Sequence, residues 1–292
     1  MHLKTFLLAG FMATAAVASI AADTENLKPI CGSTDSVDGQ RDMVNAIPQN
    51  PSNIGTKAAT LNVYVHVVSV DNTPAGGNVP DDQIIAQVNV LNQAFSRYGI
   101  NFRLAQIDRT INRAWSDDAN PQEQQQMKTA LRKGSVADLN IYILTKLYGA
   151  PPGYVLTGLA TFPWDYQNKP WDDGISILYT TLPGGSTPGI DKGINAVHEV
   201  GHWVGLYHPF QGGCAAPGDY VDDTPPQASP SFECPTGRDS CPQPGIDSIH
   251  NYMDYTYDTC RTEFTPGQVA RLGQALRQFR GAFFNGVAYL VV

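Results

Sequence analysis

Basic residues are scarce in this 292-residue chain, which has 19 Lys and Arg against 27 Asp and Glu and a formal net charge of −8. A protein that binds the phosphate backbone of a nucleic acid needs a cluster of Lys and Arg, and the sequence has none. We therefore expect no nucleic-acid partner. Only 16% of the residues are charged, whereas 42% are hydrophobic. This balance excludes a disordered chain and predicts a globular protein with a buried core.

Long apolar runs are absent except at the two ends of the chain. The first run, at 6–20, follows Lys4 and closes on small residues before Asp23. These features predict a secretory signal peptide at 1–21 and a secreted protein. A transmembrane anchor is the alternative, but acidic residues replace the basic cluster that would follow an anchor. The second run, at 281–292, is expected to pack against the core, so we expect no membrane partner.

Cysteine is also sparse, and no CxxC pair occurs among the five, which argues against a zinc ribbon. Cys31 stands far from the other four, which are Cys214, Cys234, Cys241 and Cys260. In an oxidising compartment this cluster predicts two disulfides. Four cysteines permit three pairings, and the sequence alone leaves all three open.

The pattern along the chain predicts alternating strands and helices, followed by an irregular region. Residues 22–58 are polar and rich in turns, so we interpret them as a pro-segment or linker without a core element. Residues 209–249 have almost no periodicity, and a loop of that length is usually functional or disordered. We expect disulfides between the four cysteines to cross-link this irregular region. Strands are predicted at 61–68, 100–107, 139–147 and 175–182, and helices at 81–98, 194–207 and 265–280.

Three of the six histidines lie in one string, VHEVGHWVGLYH. His198 and His202 are four residues apart, so on a helix they share one face and can reach one ion. Glu199 is rotated from His198 by about 100°, which suits a base that holds water without ligating the metal. Gly205 can turn the chain and bring His208 round as a third ligand. Three protein ligands leave one position open, as in a catalytic zinc site.

Together with Met253 in the run NYMDY, this string resembles the extended signature and methionine turn of the metzincin metallopeptidases. Within that clan the chain resembles the pappalysin-type family, and particularly its secreted fungal extracellular metalloproteases. Pro209 departs from the threonine that we would expect after the third histidine. The resemblance spans about 195–270, is weaker from about 59 onward, and rests on the string at 198–208 and on 218–219, 222–225, 234–235, 239–242, 251–255 and 264–268.

The resemblance implies a two-lobed α/β (α+β) catalytic domain at 59–292. The upper lobe, about 59–204, would hold a twisted, mostly parallel sheet and the active-site helix. The lower lobe, about 205–292, would be irregular and disulfide-bonded. The disulfides that the resemblance implies are Cys214–Cys241 and Cys234–Cys260.

The implied activity is that of a secreted, zinc-dependent endopeptidase acting on proteins or peptides, and we expect a monomer. One catalytic zinc would be held by His198, His202 and His208. Glu199 would deprotonate the zinc-bound water and pass the proton to the leaving amine. Tyr255 matches a residue thought to stabilise the oxyanion in related families, although a buried structural tyrosine is an equal alternative.

Two further features allow more than one interpretation. Asp219, Asp222 and Asp223 are suitable ligands for a structural calcium ion, as in similar enzymes, or form a solvated acidic loop. Cys31 is either an unpaired spectator or a thiolate that caps the zinc in a latent form.

Two other functions compete with the peptidase. One is a non-proteolytic, zinc- and calcium-stabilised secreted binding module, against which the intact Glu199 argues. The other is a disulfide-rich interaction protein in which the histidine string is structural.

Overall fold

A computed structural model describes residues 27–33, 59–118 and 120–281 of the chain. The predicted signal peptide at 1–21 lies outside the described residues, as does the apolar tail beyond Gly281. Within the described ranges, no helix has the length and apolar character needed to cross a membrane.

Eight strands are present in the described residues: β1 Lys28–Cys31, β2 Ala59–Ser69, β3 Ile100–Ile111, β4 Leu139–Leu144, β5 Tyr154–Ala160, β6 Ile175–Leu178, β7 Phe232–Glu233 and β8 Tyr255–Thr256. The first six form one sheet in the order β1-β5-β6-β4-β2-β3. All neighbouring pairs in it are parallel except β5 and β6. β7 and β8 form a separate short parallel pair. This mixed, mostly parallel sheet confirms the predicted α/β fold class.

Four α-helices accompany the strands in the part of the chain described: α1 Asp81–Phe95, α2 Pro121–Leu131, α3 Ile194–Trp203 and α4 Pro266–Arg280. Successive side chains of a strand alternate between the two faces of a sheet. Ile141 and Ile143 of β4 therefore belong to the core that α1, α3 and α4 share with the sheet. Tyr142 and Leu144 belong to a second core, with Met127 of α2, on the opposite face. The sheet is thus buried on both sides.

The described strands and helices differ from the predicted ones in several places. α3 ends at Trp203 and not at 207, because Gly205 takes a φ of 97° and turns the chain. β4 and β6 are shorter than predicted, and β3 is longer. β5 and α2 were not predicted at all. α2 is almost wholly polar, and Met127 and Lys128 are its only buried residues, so it has no apolar stripe to detect.

The prediction that residues 22–58 lack a core element is wrong for β1. This four-residue strand pairs in parallel with β5 at the edge of the sheet, and its last residue, Cys31, is buried. A strand this short, containing Pro29, carries no readable alternation. Its strand geometry depends on backbone pairing with a distant segment. The division of the chain into a pro-segment and two lobes remains a prediction.

The region between α3 and α4 contains only β7 and β8 as regular structure. Two disulfides cross-link it, Cys214–Cys241 and Cys234–Cys260, with Cα atoms 5.5 and 5.9 Å apart. These are the two pairs that the resemblance implies. Cys31 is the free cysteine of the described residues.

Arg280, at the end of α4, contacts the end of α3 and pairs with a buried carboxylate. The guanidinium of Arg280 lies 3.7 Å from the ring centroid of Trp203 and donates to the Trp203 carbonyl at 3.0 Å. It also pairs with Asp173 at 2.9 Å, and both charged side chains are fully buried. Asp173 accepts a further hydrogen bond from the indole of Trp203 at 3.1 Å.

Candidate metal centre

Helix α3 presents two histidines on one face, and the turn after it returns a third. The rings of His198 and His202 are 4.8 Å apart between centroids. At Gly205 the left-handed backbone reverses the chain, and an added Cβ there would lie 3.0 Å from the Cβ of Ala275. The reversal brings the ring of His208 to 4.4 Å from that of His202. The structure thus brings together all three predicted ligands.

The three imidazoles converge through their Nε2 atoms. His198 and His208 are 3.2 Å apart at these atoms, His202 and His198 3.1 Å, and His202 and His208 3.0 Å. Nδ1 of His198 donates to the Tyr252 carbonyl and Nδ1 of His202 to the Leu206 carbonyl, each at 2.8 Å. These bonds assign the Nε2 lone pairs to the centre of the cluster.

Converging lone pairs repel one another unless a cation lies between them. Zinc–nitrogen bonds of about 2.0–2.1 Å in a tetrahedral site separate the ligand nitrogens by roughly 3.3 Å. The observed spacings of 3.0 to 3.2 Å are close to that value. The donor set and its spacing therefore fit zinc.

Burial keeps all three histidines in the form that binds metal. It lowers the pKa of His202 to about 4. The pKa values of His198 and His208 are well below the usual range, first because of burial and then because of repulsion from the neighbouring imidazoles. At neutral pH the rings are neutral, as metal ligation requires.

A fourth potential ligand comes from β1. The Sγ atom of Cys31 and one nitrogen from each of the three histidines all lie within 4.8 Å of one another. Across the described ranges this is the only group of three or more His, Cys, Asp or Glu that could hold a metal ion. Burial, and next the charge of Glu199, raise the pKa of the thiol well above its usual value. A bound divalent cation would favour the thiolate instead.

Glu199 lies beside the histidines with one oxygen occupied and one free. Its Oε2 accepts from the thiol of Cys31 at 3.3 Å and from the hydroxyl of Ser33 at 3.2 Å. Its Oε1 is buried without a partner. Burial raises the pKa of Glu199 to about 8, although these two hydrogen bonds lower it. The carboxyl group is therefore buried, with one oxygen available to hold a proton.

Gly158 of β5 makes room for this carboxylate. A Cβ at Gly158 would lie 2.0 Å from Oε1 of Glu199, closer than any real Cβ contact. The sequence reasoning missed both Gly158 and Ser33. A glycine inside a strand can mark a close approach of another group, but β5 itself was not predicted.

The floor of the cluster is the methionine turn. Met253 is fully buried. A Cβ at Gly201, between the two histidines of α3, would meet the Met253 sulfur at 2.3 Å. The preceding residue, Tyr252, supplies the carbonyl that orients His198. The turn therefore supports the cluster by packing and by one hydrogen bond.

The hydroxyl of Tyr255 reaches the edge of the cluster. It lies 3.2 Å from Nε2 of His208 and donates to the backbone carbonyl of Cys31 at 3.1 Å. Burial, followed by the charges of Cys31 and Glu199, raises the pKa of Tyr255 well above its usual value. The group stays a protonated hydroxyl, and thus a hydrogen-bond donor, at neutral pH.

The structure does not bring the three predicted calcium ligands into one group. Asp222 and Asp223 are exposed. The carboxylate of Asp223 instead accepts from the hydroxyl of Thr265 at 2.6 Å and from a backbone N–H in the first turn of α4. Asp219 is buried, its Oδ2 has no partner, and burial raises its pKa to about 7.

The part of the chain that contains this centre matches known peptidases. Residues 137–277 match the Peptidase_M43 family, described as pregnancy-associated plasma protein-A. An extracellular metalloprotease of Neurospora crassa is 46% identical, covering 96% of this chain and 98% of its own length. One of Arthroderma benhamiae is 40% identical, covering 94% and 92%.

Solved structures agree with these relatives. A promirolysin mutant of Tannerella forsythia is 29% identical and superposes with a TM-score of 0.68, covering 82% of this chain and 87% of that one. Mature mirolysin from the same organism, in complex with a cleaved peptide, is 31% identical with a TM-score of 0.62, covering 75% and 91%. The chain therefore belongs to the pappalysin-type family of metallopeptidases, Peptidase_M43, and is an extracellular metalloprotease.

Proposed function

We propose that the protein is a zinc endopeptidase in which His198, His202 and His208 hold the metal and Glu199 is the general base. The observation that carries this proposal is the convergence of three Nε2 lone pairs beside a buried carboxylate. Zinc, when bound, supplies Lewis acidity, which makes water a stronger acid and a carbonyl carbon more electrophilic.

Glu199 has the position and environment of a proton carrier. Its free Oε1 can take a proton from the attacking water and later give it to the leaving amine. The site is buried, so bulk water does not compete for that proton.

Tyr255 is proposed to donate its hydroxyl to the oxygen of the scissile carbonyl. The hydroxyl already donates to a peptide carbonyl at this place, that of Cys31. A donor aimed where negative charge develops stabilises the transition state more than the ground state.

We propose protein or peptide chains as substrates, because mature mirolysin, a structural relative, is described with a cleaved peptide. The test is the zinc content of the purified Cys31→Ala variant, which lacks the fourth potential ligand, together with cleavage of a denatured protein substrate, with and without a chelator. One zinc per chain and chelator-sensitive cleavage are expected. Zinc without cleavage would favour the binding module, and no zinc would favour a structural histidine string.

We further propose that Cys31 is the fourth metal ligand of a latent form. Its support is the position of Sγ among the histidine nitrogens and the pairing of β1 with β5 beside the cluster. The Cys31→Ala variant of the intact chain should cleave peptide without prior processing, whereas the wild-type chain should not. Lys28→Ala, a change in the same strand, serves as the control and should stay latent. Equal activity of wild type and Cys31→Ala would remove this role.

We also propose Asp219 as the anchor of a structural calcium site. The supporting observation is its buried and unpartnered Oδ2. Calcium should raise the melting temperature of the wild-type protein and should not raise that of Asp219→Asn. Asp223→Asn, which only weakens the start of α4, should keep the calcium response. An unchanged response in Asp219→Asn would contradict the assignment.

A further inference from the structure

The third histidine of the cluster, His208, is held differently from the other two. The rings of His198 and His202 are oriented by hydrogen bonds from Nδ1 to backbone carbonyls. Among the described residues, the hydrogen-bond contacts of the His208 ring all involve Nε2. The ring also stacks on Phe210, with 4.7 Å between centroids, and lies edge-on to Tyr255 at 5.1 Å. The position of His208 therefore depends strongly on the backbone that carries it.

The turn at 205–208 is the backbone that carries this ring. Its first peptide group is held at both ends. The carbonyl of Gly205 accepts a hydrogen bond from Nε of Arg271 in α4 at 2.8 Å. The N–H of Leu206 donates to the carbonyl of Gly201 at 2.9 Å. Because a peptide group is planar, the two bonds together fix the direction in which the chain leaves the turn. Arg271 thus supplies one of the two anchors.

The side chain of Arg271 is itself held in place. It is only 4% exposed. Its guanidinium carbon lies 5.4 Å from the ring centroid of Tyr207 and 6.0 Å from that of Tyr220, and such aromatic faces attract a cation. Burial raises the pKa of Asp219 to about 7, and the charge of Arg271 partly offsets that rise. The donor to Gly205 is therefore fixed by packing and by charge.

We propose that Arg271 is a positioning residue that holds this turn, and with it His202 and His208, in the geometry of zinc ligation. The turn supports both histidines, because Nδ1 of His202 donates to the carbonyl of Leu206 within it. Groups that orient metal ligands from outside typically contribute about 10- to 100-fold to metal affinity. This inference rests on the proposed function, in which the histidines bind zinc.

Two substitutions separate the hydrogen bond of Arg271 from its charge. The amide nitrogen of glutamine is the same number of bonds from Cα as Nε of arginine, so Arg271→Gln can still donate to Gly205. Arg271→Met has a similar reach and no donor. Both variants lose the positive charge and its contacts with the tyrosine rings. A difference in zinc affinity between them therefore reports the hydrogen bond.

The measurement is the zinc dissociation constant, by chelator competition in calcium-free buffer. The parent is the full chain carrying Cys31→Ala, so that the thiol does not contribute. Arg271→Met should bind zinc at least about 10-fold more weakly than the parent, and Arg271→Gln about as tightly. Arg280→Met is the matched control for lost stability, because this second buried arginine of α4 contacts Trp203 and Asp173. It should keep the zinc affinity of the parent.

Equal zinc affinities in Arg271→Met and Arg271→Gln, or an equal loss in Arg280→Met, would overturn this inference alone. A parent that binds no zinc would overturn the proposed zinc site and the inference with it.

A second comparison applies if Arg271→Met does not fold. Loss of Arg271 leaves Asp219 without a neighbouring cation, so both substitutions are then made together with Asp219→Asn. Zinc that binds only the folded state raises the melting temperature, by an amount that its affinity sets. The rise should be smaller with Met at position 271 than with Gln, and equal rises would contradict the proposal.

Discussion

Replacing Gly158 with alanine should disable the general base without removing the metal. The new Cβ would lie 2.0 Å from Oε1 of Glu199, whereas real Cβ contacts are essentially never under 3.0 Å. Either the carboxylate or β5 must therefore shift by about 1 Å, and a misplacement of that size in an active site costs about 100-fold in rate. We expect kcat/KM on a quenched fluorescent peptide to fall by about that factor.

The assay needs zinc content and stability measured in parallel. The three histidines come from α3 and its turn, so Gly158→Ala should still bind one zinc per chain. Gly273→Ala is the matched control, because a Cβ there meets nothing closer than 3.5 Å, at the flexible end of Arg277. It should keep full activity and gain up to about 1 kcal/mol from better helix propensity. A Gly158→Ala variant with wild-type kcat/KM would refute the reasoning about the space around Glu199.

Three further predictions concern the tyrosine, the buried ion pair and the buried carboxyl. Tyr255→Phe should lower kcat while zinc content and melting temperature stay unchanged, and an unchanged kcat would assign Tyr255 a structural role. Arg280→Met removes the closer of the two cations that pair with the buried Asp173 and leaves only Arg132, at 3.6 Å, so urea unfolding should show a loss of about 3 kcal/mol, the lower end of the cost of breaking a buried ion pair, and a loss below 1 kcal/mol would contradict the packing described. Burial raises the pKa of Asp219 to about 7 from a usual value of 3.8, so in calcium-free buffer the folded state binds more protons than the unfolded state. The free energy of unfolding should therefore fall from pH 4 to 7, and the fall should be smaller in Asp219→Asn; identical pH profiles would refute the assignment.

The metal ligands were predictable because their geometry is local. His198 and His202 meet through the period of one helix, and Gly205 marks the turn that returns His208. The strands that have clear apolar patterns, such as β2, were also predictable from the sequence. These features depend on residues within a dozen positions of one another.

The surroundings of the metal ligands were not predictable by such reasoning. Gly158 and Ser33 reach Glu199 from strand β5 and from the end of β1, and neither strand had a readable pattern. Arg271 reaches the turn before His208 from α4, and only the folded chain brings the two together. The three neighbouring aspartates show the same limit, since Asp223 contacts the start of α4 whereas Asp219 is buried.

The central claim is that Glu199 moves the proton at a zinc site built by three histidines. Its most direct test is the Glu199→Gln variant, which keeps the size of the side chain and removes its basicity. The account predicts one zinc per chain, an unchanged fold, and a kcat lowered by about 10²- to 10⁴-fold. A variant that holds its zinc and cleaves peptide at the wild-type rate would contradict it.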